Sequence, residues 1–289
     1  MIKMKIVLTP NPYRDKQFRT VQQARKILEG CGVQTATCLP FDVDRDYELP
    51  KSIEFQDLNR EIKDADMLVC FGGDGTILHA SKLATAHNLP ILGINIGTMG
   101  FIAELEAGEL ELLRRLPAGD YTIEPRSMID VTVTGANGQR LLHETALNDA
   151  VITKGAIARV GQLSITCDGV EATSFSGDGV ILCTPTGSTA YSMSAGGPIV
   201  EPCADCIILT PICTFRLAAR SYVLKADREV SIRTVEQGDK EVFLSVDGVA
   251  VPFLDGDELV VARSDKTLLM ARVKDRSFFD IVFEKLVDK

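Results

Sequence analysis

The chain has no apolar run long enough to cross a bilayer. Stretches such as Ile207 to Leu209 are a few residues long, where a spanning helix needs about 20. The N-terminus, Met1-Ile2-Lys3-Met4-Lys5-Ile6-Val7-Leu8, carries basic and apolar residues in the order of a secretory leader. The apolar run stops at Thr9-Pro10 and no small-residue cleavage site follows, so a first β-strand is the better reading. Basic residues are outnumbered, with a net charge of −9 and a pI near 5.0. That argues against a nucleic-acid partner, which needs a basic stripe to displace counterions. It leaves open the binding of phosphorylated small molecules through backbone N–H groups and helix N-termini. Histidine is scarce, and His79, His87 and His143 show no metal-ligand spacing. The nucleotide motifs most easily recognised are missing too: no Walker A run, no Gly-x-Gly-x-x-Gly fingerprint and no protein-kinase catalytic loop. The simplest P-loop and dehydrogenase readings are thereby excluded.

Cysteine, in contrast, is plentiful, with eight in the chain. Without a leader they are expected as free thiols in a reducing, cytoplasmic setting. Cys203-Ala-Asp-Cys206 has CxxC spacing, and Cys213 lies nearby. A zinc site would need a fourth ligand, and a redox CxxC normally opens a helix after a strand. Here a proline precedes and an apolar run follows, so buried, inert thiols are expected.

With 289 residues, 45% apolar and 25% charged, the composition is that of an ordinary globular protein with room for two domains. The first 120 residues alternate strand and helix patterns. Strands are expected at Lys5 to Leu8, Val33 to Cys38, Asp66 to Phe71 and Ile91 to Ile94. Helices are expected at Thr20 to Leu28, Asp57 to Lys63, Thr76 to His87 and Glu109 to Leu116. Such alternation builds a Rossmann-like α/β domain, a parallel sheet covered by helices on both faces. After residue 120 the segments become short, alternating and β-branched: Thr122 to Glu124, Ile129 to Thr134, Ala150 to Thr153, Leu163 to Cys167, Val230 to Val235, Glu241 to Val246 and Glu258 to Ala262. Turns such as Ala136-Asn137-Gly138 and Cys167-Asp168-Gly169 separate them. An all-β C-terminal domain over residues 121–271 is expected, with a C-terminal helix over Phe278 to Leu286, part of a segment (272–289) returning to the first domain. There are no internal repeats.

The chemistry concentrates in two places. The strand ending at Phe71 runs into Gly72-Gly73-Asp74-Gly75-Thr76 and then a helix. Glycines there let the backbone turn sharply and approach a ligand, and the helix offers N–H groups and partial positive charge to a phosphate. Thr76 is expected as the helix N-cap. Asp74 is the odd residue, because a carboxylate repels phosphate. It could take a proton from an attacking hydroxyl or hold a magnesium ion; a plain Asp-Gly turn is the bland alternative. The second place is Ser176-Gly177-Asp178-Gly179, followed by Thr184-Pro185-Thr186-Gly187-Ser188-Thr189-Ala190-Tyr191-Ser192 and Ser194-Ala195-Gly196-Gly197-Pro198. Hydroxyls and glycines at that density supply many hydrogen-bond groups with little bulk, and Tyr191 adds a flat face.

Gly72 to Thr76 resembles the motif shared by NAD kinases, diacylglycerol and sphingosine kinases, and 6-phosphofructokinases. The run from Thr184 to Tyr191 resembles the second signature of NAD kinases. With Asn95-Ile96-Gly97-Thr98-Met99-Gly100-Phe101 and Ala146-Leu147-Asn148-Asp149, the likeness to that family spans most of the chain in family order. The resemblance implies phosphoryl transfer from ATP, or polyphosphate, to the 2′-hydroxyl of the adenosine ribose of NAD. It implies Asp74 as catalytic base, with Gly75 and Phe101 lining the site and the backbone around Gly73, Gly75 and Thr76 holding the donor's phosphates. The β-rich domain would bind NAD. Asn148 would bind its adenine and ribose region, an amide offering the paired donor and acceptor an adenine edge requires. Asp149, where the family more often has glutamate, would contact the ribose hydroxyls. Thr186, Thr189, Ala190, Tyr191 and Ser194 would surround the adenosine half, and Asp178 would lie near the nicotinamide end. Ser176, Cys213 and Val249 depart from the family's common residues at positions near NAD: arginine is frequent at the first, alanine at the second and a polar residue at the third. The resemblance further implies Mg²⁺ carried in with ATP, and a homo-oligomer, dimer or tetramer, in which some groups reach a neighbour's site. The rivals are a lipid kinase of the same superfamily, which would want a basic or apolar surface for a bilayer, and a non-catalytic NAD(H) sensor.

Overall fold

Strand β1 (Lys5–Pro10) is buried along its whole length, as expected of a strand inside a sheet covered on both faces. The computed structural model describes residues 4–97, 100–155, 161–214, 219–235, 242–251, 253–254 and 256–286. Thr98 and Met99 of the Asn95 to Phe101 segment, Glu241 and residues 287–289 lie outside them. The chain forms two units, Met1–Pro125 with Leu268–Lys289, and Arg126–Thr267.

In the first unit β2 (Gln34–Thr37), β1, β3 (Met67–Gly72) and β4 (Ile91–Asn95) lie side by side in that order, every pair parallel. Helix α1 (Arg19–Gly30) buries Val21, Ala24, Ile27 and Leu28, the spacing of one helix face. The Asp15 carboxylate accepts from the amides of Thr20 and Val21 at its start. That face meets Ile6, Leu8, Met67, Val69, Phe71, Leu92 and Ile94, the alternate residues of three strands. Helix α3 (Asp74–Ala86) packs against β4 where there is no side chain to stop it: a Cβ on Gly93 would lie 2.4 Å from Ile77 Cδ1. The expected helix over Asp57 to Lys63 is two short pieces, α2 (Leu58–Glu61) and a 3₁₀ turn, with Asp57 capping the Asn59 amide. The expected helix over Glu109 to Leu116 is a 3₁₀ helix, Leu110–Arg115. Pro117 and Gly119 cut it too short to settle into α geometry. Short β5 (Leu105–Glu106) pairs with β4. Helix α5 (Phe278–Leu286) opens with Ser277 and Asp280 bonded to each other's backbone amides, a capping box.

The second unit is built almost wholly of antiparallel strands. The two strands expected at Thr122 to Glu124 and Ile129 to Thr134 are one, β6 (Thr122–Thr134), which runs from the first unit into the second. It pairs with β7 (Arg140–Ala146). One sheet holds β8 (Asp149–Lys154), β11 (Gly179–Cys183), β12 (Cys206–Ile212), β13 (Tyr222–Lys225), β15 (Val242–Val246) and β16 (Val249–Val251), ordered β13-β12-β11-β8-β15-β16. Another holds β9 (Gly161–Cys167), β10 (Val170–Gly177), β14 (Val230–Val235) and β17 (Glu258–Arg272). Ile129, Val131, Ile152, Ile165, Leu182, Leu209, Ile232 and Leu244 interdigitate in one apolar core. The fifteen-residue β17 is far longer than the segment expected, and its last part returns to the first unit, where Met270 lies opposite Ile91 in parallel. The fold is the α/β domain plus all-β domain expected, with parallel strands in the first and the C-terminal helix back beside it.

Candidate active site

The strand order of the first unit reverses between β1 and β3: α1 carries the chain outward to β2, and α3 carries it the other way to β4. Ligands of open α/β sheets bind in the crevice at the carboxyl ends of such strands. The loops that meet there are Asn11 to Tyr13, after β1, and Gly72 to Gly75, after β3. The Asn11 amide donates to the Phe71 carbonyl, and its side-chain Nδ2 donates to Thr76 Oγ1 at 2.8 Å. A Cβ on Gly72 would sit 2.2 Å from that same hydroxyl, so only glycine lets the loop close over Thr76.

Thr76 is not the N-cap. Helix α3 starts at Asp74 and Gly73 is its N-cap, in extended conformation with no side-chain bond. Its carbonyl accepts from the amides of Thr76 and Ile77. Glycine at the cap brings Asp74 and Gly75 into the first turn, where amides lack intrahelical acceptors. That turn is the anion-binding end of a thirteen-residue helix.

The Asp74 carboxylate is fixed. Its Oδ2 accepts from the Phe101 amide at 2.9 Å, and its Oδ1 from the Ile102 amide at 3.2 Å. Burial pushes its pKa up, while the amides of Phe101, Ile102 and Ala103 and the charge of Lys285 pull the other way. The balance lies upward, giving a carboxylate more basic than one in water and held in a set orientation. Gly100 stands against it: a Cβ there would lie 2.9 Å from Asp74 Oδ1. Nearby groups are linked in turn, Lys285 and Asn95 buried and Glu106 between them partly exposed. Lys285 Nζ lies 3.1 Å from Glu106 Oε1, and Glu106 Oε2 accepts from Asn95 Nδ2 at 2.8 Å. Asn95 Oδ1 is buried with no partner among the described residues.

In the second unit Asn148 and Asp149 stand at the head of β8. Three consecutive amides, of Leu147, Asn148 and Asp149, donate to the carboxylate of Asp247 at 2.8, 2.8 and 3.1 Å. Asp247 and Gly248 form the β15–β16 turn with positive φ at both, the geometry of a two-residue hairpin. Burial and then the charge of the neighbouring Asp247 push Asp149 up to about 7. The run after β11 closes over the same place. The Thr184 amide donates to the Asn148 carbonyl, and its hydroxyl to the Leu147 carbonyl. A Cβ on Gly187 would fall 2.2 Å from the Asn148 carbonyl oxygen. Buried Arg126 donates to Thr186 Oγ1 at 3.2 Å, and Thr189 Oγ1 to the Thr186 carbonyl. Asn148 Oδ1 is buried with no partner among the described residues, an acceptor left over for a ligand. Ala190 leads into α4 (Tyr191–Ser194), where Tyr191 and Ser194 are exposed. Val249, also exposed, follows the Asp247-Gly248 turn.

Ser176, Asp178 and Cys213 are not brought to this cluster. The Asp178 amide donates to the Ile212 carbonyl, beside Cys213, and its carboxylate lies 2.6 Å from Lys154 Nζ. Asp149 pairs with Cys183 at one end of β8 and Thr153 with Gly179 at the other, about 14 Å apart at a strand's usual rise. Asn11, Gly100, Asp247 and Lys285 escaped the sequence reading as contributors in their own right. The only signals were the Asn-Pro after β1 and the Asp-Gly between β15 and β16. All eight cysteines are free. Cys38, Cys70 and Cys183 are buried as expected, but Cys203 and Cys213 are exposed, because both sit in turns at the ends of β12.

The sequence of the first unit matches the model of the ATP-NAD kinase N-terminal domain over residues 13–121. That of the ATP-NAD kinase C-terminal domain matches over residues 147–273. An NAD kinase of Acetivibrio thermocellus is 34% identical over 290 residues, covering 99% of this chain and 98% of that one. Among solved structures, an NAD kinase from Archaeoglobus fulgidus in complex with ATP superposes with a TM-score of 0.74 at 26% identity, covering 98% of each chain. Yeast NADH kinase complexed with NADH shares the fold, with a TM-score of 0.82 at 24% identity over 98% of this chain and 87% of its own. Both domain models and a relative matched from end to end carry the same description, and the chain belongs to the NAD kinase family.

Proposed function

We propose that the chain is an NAD kinase, moving the γ-phosphoryl group of ATP to the 2′-hydroxyl of the adenosine ribose of NAD. The observation that carries this reading is the Asp74 carboxylate, fixed by the Phe101 and Ile102 amides at the head of α3 and made more basic by burial. Asp74 receives the proton of the 2′-hydroxyl as its oxygen attacks the γ-phosphorus. A new P–O bond forms, the bond to the β-phosphate's bridging oxygen breaks, and ADP leaves. The first-turn amides of α3 hold the donor's phosphates. Among the described residues no three His, Cys, Asp or Glu side chains are grouped to hold a metal ion. Magnesium would enter with the donor, as its ATP complex, and offset the charge of the phosphates.

In the second unit Asn148 Oδ1 and its amide serve the adenine, and Asp149 the ribose hydroxyls. Thr186, Thr189, Ala190, Tyr191 and Ser194 surround the adenosine. The family resemblance implies a homo-oligomer, dimer or tetramer, in which some of these groups reach the NAD of a neighbouring copy. Eight free thiols support a cytoplasmic location. No described helix is long and apolar enough to cross a membrane. The relative crystallised with ATP and the fold neighbour with NADH support these ligand classes for this chain. Coupled detection of NADP from ATP and NAD tests the reading, with diacylglycerol replacing NAD as control. NADP is expected; phosphorylated lipid and no NADP would overturn it.

A further inference from the structure

The segment that aims Asp74 is held from behind by the end of the chain. Phe101, Ile102 and Ala103 turn their amides to the Asp74 carboxylate. The residues that follow carry three carboxylates, Glu104, Glu106 and Glu109, and each meets a cation of the returning segment. Arg272 lies 2.9 Å from Glu104, Lys274 2.8 Å from Glu109 and Lys285 3.1 Å from Glu106. Glu104 also accepts from the amides of Val273 and Lys274, and its own amide donates to the Gly93 carbonyl of β4. Glu106 Oε2 accepts from Asn95 Nδ2. Asn95 stands opposite Gly72, whose carbonyl accepts from the Ile96 amide. The returning segment, the aiming segment and the phosphate loop are thus joined in one bonded series.

Helix α5 lies down against the usual preference of its residues. Phe279 and Phe283 are 69% and 56% exposed, whereas Lys285 is 9% exposed. Burying the rings instead would gain on the order of 2 kcal/mol each. A buried lysine costs desolvation, which an ion pair at best offsets. Glu106 is itself partly exposed, so solvent screens the pair further. Stability therefore does not account for Lys285 facing inward. Its place beside the aiming segment does. Burial pushes the Asp74 pKa up, and the Lys285 charge draws it back. A base that kept its proton at neutral pH could not accept another.

We propose that Lys285 is a positioning residue for the phosphoryl transfer: α5 seats its ammonium on Glu106, which steadies the segment holding Asp74 and sets a positive charge against that carboxylate. This rests on the kinase reading and deepens it, giving the C-terminal helix a part in the reaction. No bond to Lys285 forms or breaks. The charged groups facing it are Glu106 from β5, Asp74 from α3 and, at 3.5 Å, Glu284 of its own helix, which Arg276 also pairs.

Lys285→Met, Lys285→Arg and Glu106→Gln in the full chain test it, with kcat followed against pH at saturating NAD so that titration of Asp149 in NAD binding does not enter. The base must be ionised, so kcat rises with pH through an acid limb. Lys285→Met is expected to move that limb up by about one pH unit, the effect of losing one opposite charge nearby. The loss is then about tenfold on the limb and fades toward alkaline pH, while KM for NAD stays in place. Lys285→Arg keeps the wild-type limb. Glu106→Gln retains an acceptor for Asn95 but removes the counter-charge, and moves the limb the other way. An acid limb left in place in Lys285→Met and Glu106→Gln overturns the proposal, as does an equal loss at every pH. A wild type that makes no NADP overturns the kinase reading and this one with it; a wild type that makes NADP, with Lys285→Met superposable on it, overturns this one alone.

Discussion

The amide of Phe101 donates to Oδ2 of Asp74 at 2.9 Å across 27 residues of sequence, and the neighbouring amide of Ile102 takes the other oxygen. The general base proposed for this site is therefore aimed by backbone amides. Each oxygen keeps a further lone pair for a hydroxyl proton. Burial raises the affinity for that proton, and the two amides limit how far it rises.

Gly100 enforces that aim. Gly100→Ala is expected to push the carboxylate aside, since the new methyl would start 2.9 Å from Oδ1. Turnover should fall on the order of 10²-fold, the usual cost of misplacing a reacting group by about an ångström. KM for NAD should hardly move, because the groups proposed to hold the adenine and ribose, Asn148 and Asp149, are left untouched. Steady-state kinetics separate the two parameters, and an equal loss in both would count against a positioning role.

Asp149 makes stability depend on pH in an unusual direction. Its folded pKa, about 7, lies above the ordinary 3.8. Between those values the folded chain keeps a proton that the unfolded chain has released, so folding stability falls as pH rises through this window. Asp149→Asn removes the penalty. Its Tm should exceed that of the wild type at pH 8, with the advantage vanishing toward pH 4. A constant offset across that range would show that Asp149 titrates normally.

Asn148 has a buried Oδ1 with no partner among the described residues. Asn148→Ala breaks no hydrogen bond of that oxygen, so thermal stability should change little, whereas NAD binding measured by calorimetry should weaken about tenfold or more. A large loss of stability with unchanged NAD affinity would make the residue structural.

Much of this was legible in the sequence, and the reasons differ from place to place. Strands β1, β3 and β4 are buried on both faces, so they read as continuous apolar runs. Gly72 to Thr76 announced itself because glycine is dense only where backbone must approach backbone or ligand. The start of α3 was misread because Thr76 is the better N-cap by residue type, yet Gly73 can extend and leave its carbonyl free. Several strands of the second unit were missed: β10 is largely polar, β11 opens on Gly179, β12 carries Pro211, and β13 is only four residues long. Asn11 and Asp247 act on partners 65 and about 100 residues away. No local periodicity marks them, since their identity depends on which loops the topology brings together.

Replacement of the Asp74 carboxylate by an amide of the same shape bears most directly on the role assigned to it. In Asp74→Asn, kcat for NADP formation should drop about 10²- to 10⁴-fold, the share a positioned general base supplies, while NAD affinity by calorimetry stays that of the wild type. A variant that turns over at the wild-type rate would remove Asp74 from the proton transfer.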